Sequence, residues 1–176
     1  MTPIYKIFIF SVFVVLSLNS YGQKKDTVIK EIRLWYKNIN DDSSLKVIKL
    51  ETGEITEENS DGGIELTGYF KDKELVKIHL WVGLSYGIRQ FEYYFNKGNL
   101  FFVYEKEEDF GHKDDGSTTD KLTLGFEGRF YIDQNKFIDR KTKGRRLFDV
   151  PDFDINEILK DLASYKKLLN KRFEKM

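Results

Sequence analysis

The sequence predicts an α+β fold, an antiparallel meander sheet of about six strands flanked by an N-terminal and a C-terminal helix. Three observations carry that expectation. Apolar residues recur at helical spacing in TVIKEIRLWYKNIN, residues 27–40, and again after Asp154. Between Ile64 and Arg140 the apolar period is two, the spacing of strands with one face buried. Polar triplets interrupt that region at Lys71-Asp72-Lys73, Asn96-Lys97-Gly98 and Asp133-Gln134-Asn135, marking three hairpins of similar design.

Taken in order, the first segment is a leader. Lys6 precedes the apolar run from Ile7 to Leu18, and Ser20-Tyr21-Gly22 places small residues where a signal peptidase reads. Residues 1–22 are expected to be a signal peptide cleaved after Gly22, leaving 23–176 as one α+β domain. The expected location is periplasmic or secreted. The run is shorter than the roughly 20 apolar residues of a membrane span, and no later run reaches that length, so no transmembrane segment is expected after cleavage.

Val28, Ile29, Ile32, Trp35, Tyr36 and Ile39 form the apolar stripe of the first helix, with Asp26 or Thr27 as its cap. LKVIKL (45–50) reads as a short strand or a helical turn, and TGEITEENSDGG (52–63) as a loop. Three hairpins follow, and a three-residue turn in each would set Tyr69 opposite Leu75, Tyr94 opposite Leu100 and Tyr131 opposite Phe137, with Arg129 opposite Asp139. One sheet face then carries Phe70, Val76, Ile78, Phe91, Phe95, Phe101, Val103, Phe130 and Ile138 as core, and both helices are expected to cover it. Residues 107–120 read as a long acidic loop. For the last helix, Asp154 is the cap, Glu157 the capping-box partner, and Phe153 with Ile158 the hydrophobic staple.

The phrases GYFKDKELVKI, EYYFNKGNLFFVYE and GRFYIDQNKFIDR resemble the YYF-turn-G-x-L hairpins of small exported proteins of Bacteroidota. The third departs from the pattern, with Ile132 and Asn135 where the second has Phe95 and Gly98. The resemblance implies export and carries no catalytic residue with it.

Composition narrows the chemistry. Cysteine is absent, so the fold is held by packing and a Cys-His nucleophile is excluded. Lys plus Arg equals Asp plus Glu at 29 each, which gives no basic field for nucleic acid. Only His79 and His112 are available as histidine bases, and no dinucleotide, P-loop, nucleophile-elbow or zincin motif occurs, so no cofactor is expected. The acidic 107–120 stretch invites weak calcium binding, though its spacing departs from an EF-hand. Glu92 and Glu127 stand among apolar neighbours and are expected to face outward or to pair with Arg89 or Arg129.

The remaining feature is the second sheet face. Tyr69, Trp81, Tyr94, Phe102, Tyr104, Tyr131 and Phe137 would make an aromatic patch, and exposed patches of this kind mark partner or ligand surfaces. The expected function is therefore a non-enzymatic extracytoplasmic protein that binds a protein, a peptide or a cell-envelope glycan. The alternative is a small secreted hydrolase or hydrolase inhibitor.

Overall fold

The computed structural model describes residues 24–56, 61–112, 117–146 and 154–176. The leader at 1–22 and the staple residue Phe153 lie outside them. Helix α1 occupies residues 24–41. It is followed by β1 (Lys46–Glu51), a one-turn helix α2 (Thr52–Ile55), and then β2 (Ile64–Lys71), β3 (Glu74–Leu84), β4 (Gly87–Asn96), β5 (Asn99–His112), β6 (Thr118–Asp133) and β7 (Lys136–Gly144). Helix α3 (Ile155–Phe173) closes the order.

The strands form one seven-stranded antiparallel sheet whose spatial order is the chain order. The seventh strand, beyond the expected six, is β1, which settles the ambiguity at 45–50 in favour of a strand. Helix α1 is already running at residue 24, so Asp26 and Thr27 lie inside it rather than capping it. Its end is fixed by an Asx turn, in which the Ser44 backbone N–H donates to Asp42 Oδ1 at 3.0 Å. At α3 the expected cap is present, with Asp154 accepting from the Asn156 N–H at 2.8 Å.

The hairpins depart from the expected register. Their loops hold two residues, closed by the pairs Lys71↔Glu74, Asn96↔Asn99 and Asp133↔Lys136. Lys97 and Gly98 (φ 49° and 76°) and Gln134 and Asn135 (φ 50° and 58°) both take the left-handed conformation of a type I′ turn. A bulge follows in each hairpin. Tyr69 pairs with Lys77 and Phe70 with Leu75, Tyr94 with Phe102 and Phe95 with Leu100, Tyr131 with Asp139 and Ile132 with Phe137. Val76, Phe101 and Ile138 are the inserted residues, and Arg129 consequently faces Lys141, not Asp139.

The bulges redistribute the apolar side chains. Leu75 and Leu100 join Phe70 and Phe95 on the face under α3, while Phe101 and Phe102, adjacent in sequence, both reach the face under α1. Each helix therefore has its own sheet face, whereas the sequence suggested that both would share one.

On the α3 face, Leu162 and Leu169 pack on Ile48, Leu66, Ile78, Val103 and Ile132. Leu169 comes so close to Gly68 that a Cβ there would lie 2.9 Å from its Cδ1, so glycine sets the depth of the helix. Phe70 stacks on Phe173 at 4.3 Å. Fully burying such side chains contributes about 1.5–3 kcal/mol each. On the other face Ile29 and Ile32 of α1 pack against Tyr94, Phe101, Phe102 and Tyr131.

Candidate functional site

The strand register lays the α1 side of the sheet out as cross-strand rows. The row nearest the hairpin turns runs Val47, Tyr69, Lys77, Tyr94, Phe102, Tyr131, Asp139. Next comes Lys49, Thr67, His79, Glu92, Tyr104, Arg129, Lys141. The third is Glu51, Glu65, Trp81, Gln90, Lys106, Glu127, Lys143. Helix α1 crosses the first row, from Lys25, whose Nζ donates to Asp139 at 3.0 Å, to Asn40, which accepts from Lys77 at 3.1 Å.

That crossing decides which of the sequence-predicted residues are available. Tyr94, Phe102 and Tyr131 are buried, with Tyr36 of α1 seated on Tyr94 at 4.9 Å and on Phe102 at 5.2 Å. The exposure expected of them is corrected: the amphipathic stripe of α1 needs an apolar face, and the first row supplies it. Tyr69, Trp81 and Tyr104 are half-exposed. Phe137 is exposed, but the bulge turns it toward Phe130 and away from the other six. The structure thus leaves Tyr69, Trp81 and Tyr104 part-exposed on one sheet face, one in each row.

Three polar groups flank them. Lys77, although buried, donates from Nζ to Glu92 Oε1 at 2.6 Å and lies over the rings of Tyr69 and Tyr94 at 5.3 and 5.0 Å. The Tyr94 hydroxyl donates to the other Glu92 oxygen at 2.6 Å. Burial, and then the Glu92 charge, push the Tyr94 phenol far above the ordinary tyrosine range. Tyr36 and Tyr69 are raised for the same two reasons, burial first. In the second row the Tyr104 phenol is pushed up to about 12 by burial and by Glu127, to which it donates a hydrogen bond. Arg129 pairs with the same carboxylate and lies 5.7 Å from the centre of the Tyr104 ring.

The third row continues outward. His79 Nε2 stands 3.2 Å from Gln90 Oε1, Gln90 Nε2 donates to Glu108 Oε2 at 3.1 Å, and Lys106 pairs with Glu108 at 2.8 Å. Beside Gln90, the far edge of the Trp81 indole lies over Gly83, only 2.6 Å from where a Cβ would stand. Gly83 in turn exchanges backbone hydrogen bonds with Gly62 and Gly63 at 3.1 and 2.9 Å. The indole therefore lies in space that Gly83 leaves open, with part of the ring in solvent. Chemically, the surface offers aromatic rings interleaved with fixed amide, carboxylate and ammonium groups.

Sequence reasoning placed Glu127 with Arg129 correctly, but Glu92 pairs with Lys77. It missed a second cluster on the α3 face. Glu105 and Glu107 are both fully buried there. Arg89 donates to Glu105 at 2.7 Å and Arg146 grips both Glu105 oxygens at 2.7 Å, with Glu107 3.3 Å from the same guanidinium. The two guanidiniums lie over Phe91 and Phe126 at 4.6 and 4.4 Å. The signal was available, since period-two alternation carries the core face from Phe95 through Val103 to Glu105 and Glu107.

The same strand corrects the acidic loop. β5 and β6 pair through Phe110↔Leu122 to His112↔Thr118, so most of 107–120 is strand. Glu107 is buried on the α3 face and Glu108 accepts from Gln90 on the other, and among the described residues no three His, Asp or Glu side chains converge as metal ligands. Nor is any described helix long and apolar enough to cross a membrane. Compared with known protein families, curated proteins and solved structures, the chain matches none.

Proposed function

We propose that the protein is an exported, non-enzymatic binding protein that engages a cell-envelope glycan on the uncovered part of the α1-side sheet face, around Trp81, Tyr104 and Tyr69. The observation that carries this reading is the half-exposed indole of Trp81, lying over Gly83 beside Gln90 and His79, whose donors and acceptors are engaged in a chain. A sugar ring presents an apolar C–H face and a rim of hydroxyls, and it is matched by an aromatic ring flanked by oriented polar groups. A glycan also suits an open strip better than a protein does, because the strip lacks the large continuous apolar centre of protein interfaces.

The polar groups favour binding over hydrolysis. Glu92 is engaged by Lys77 and Tyr94, and Glu127 by Arg129 and Tyr104, so both carboxylates are occupied by protein partners, whereas a glycosidase needs its pair of carboxyl groups turned to the scissile bond. Export is supported by the leader pattern of residues 1–22, and the secreted product is expected to begin at Gln23 on N-terminal sequencing.

The binding test is affinity electrophoresis through gels containing soluble cell-wall polysaccharides. Wild-type protein should be retarded, and Trp81→Ala should migrate freely while keeping a cooperative thermal transition. Equal retardation of wild type, Trp81→Ala and Tyr104→Ala would remove the reading. Release of reducing ends during the run would favour the hydrolase alternative.

A further inference from the structure

A cavity lies on the opposite flank of α1 from Trp81, between the helix and the turns at 97–98 and 134–135. Its volume is about 360 Å³, within the range of small-ligand sites. Trp35, Phe101 and Ile132 give it an apolar lining. Trp35 meets Phe101 edge-on at 5.3 Å and stays half-exposed, so indole surface remains open to the cavity. Charge enters from Glu31 on α1, Asp133 at the base of the third hairpin turn and Lys97 at the tip of the second. Among the described residues neither the Glu31 nor the Asp133 carboxylate has an ion pair or hydrogen bond. Acid therefore exceeds base around an aromatic wall.

We propose that this cavity binds the arginine side chain of a peptide. An arginine offers what the cavity lacks. Its guanidinium carries five donors in a planar fork, the donor set that carboxylates and amide oxygens such as those lining the cavity accept from. The same plane stacks on an indole, the best ring for a cation. Its methylene stem covers apolar lining that an inorganic cation would leave wet. A lysine brings a compact, more strongly hydrated charge and fits less well.

The test is a calorimetric titration of the full-length mature chain with N-acetyl-arginine amide, set against the neutral isostere N-acetyl-citrulline amide and against N-acetyl-lysine amide. Saturable binding of the arginine compound is expected, with the citrulline compound weaker by about tenfold or more. Glu31→Gln combined with Asp133→Asn should weaken arginine binding by about tenfold, and Trp35→Leu by about threefold. Glu31 is solvent-exposed, so the double variant should keep its fold, which circular dichroism checks. That variant should also show wild-type retardation in polysaccharide gels relative to its own mobility in a polysaccharide-free gel, so failure here is distinguishable from failure of the glycan reading. Equal affinity for citrulline, an unchanged affinity in the double variant, or no saturation by about 10 mM overturns the proposal.

Discussion

On the α3 side of the sheet, Glu105 and Glu107 sit in complete burial, and the guanidiniums that neutralise them come from β4 and from the chain just past β7. On the α1 side, Lys77 and Glu92 are joined at the margin of a helix, with Tyr94 and Asn40 as intermediaries, and Glu92 keeps 24% of its side-chain surface. The first group closes on itself and fastens the end of the sheet. The second leads from the interior toward Gln90, Trp81 and the open surface. Burying charge is costly in both places, and Arg146 keeps as much side-chain surface as Glu92, but only the α1-side cluster shares its sheet face with Gln90 and Trp81. The contrast separates charge that holds the fold from charge that organises a surface.

The sharpest way to break this comparison is Arg146→Ala. Stripping one guanidinium leaves two carboxylates to Arg89 alone, and the loss should be about 3 kcal/mol in urea denaturation; a loss within error would mean the α3-side cluster is as open as the other. Alkaline pH probes both faces together. Tyr93 on the α3 face and Tyr94 under α1 are raised well above the ordinary value of 10.0, chiefly by burial, so the folded protein holds protons that the unfolded chain releases. Their contribution is intact below pH 10 and falls as pH rises above it, by up to about 1.4 kcal/mol per pH unit for each phenol. Lys166 has the opposite sign: burial lowers it, so its own term grows as pH approaches 10.5. A stability curve flat to pH 11 would contradict the burial of both tyrosines.

Tyr94→Phe acts on the α1 side alone. Removing the hydroxyl that donates to Glu92 should cost about 1.5 kcal/mol by thermal or urea melts. The smallest effect is expected from Trp81→Ala, under about 1 kcal/mol, because its ring is part-solvated and rests on a glycine. A loss as large as that of Arg146→Ala would make Trp81 a structural residue, and the open surface would then have no anchor.

The strands were legible because period-two alternation follows from a sheet with apolar sides, and the last helix because Asp154 and its stripe are local signals. The bulges were not. Whether a polar triplet closes a three-residue loop or a two-residue turn with an inserted residue depends on backbone twist, and non-glycine residues at φ 49° to 56° gave no compositional hint at Asp72, Lys97 or Gln134. That one-residue shift moved Leu75, Leu100 and Phe137 to the other face. The candidate site suffered most. Three of its seven residues lie under α1, and nothing in the spacing of Ile29, Ile32 or Tyr36 says which sheet face they will choose. Trp81, His79 and Lys77 could be grouped from strand alternation alone, and it is that group which the structure keeps at the surface or its margin.

The strand order has a kinetic consequence. Every strand pairs with its neighbour in sequence, so the sheet can grow by adding one hairpin at a time from any tight turn, without first bringing distant segments together. The Lys97-Gly98 turn, where a glycine takes one of the two left-handed positions at no steric cost, is a natural starting point. Helix α1 finds a docking floor only once β3 to β6 stand side by side, and the Arg146 grip on β5 can close only after β7 is laid down. The sheet should therefore appear early in refolding, and the two fastenings at its ends should appear last.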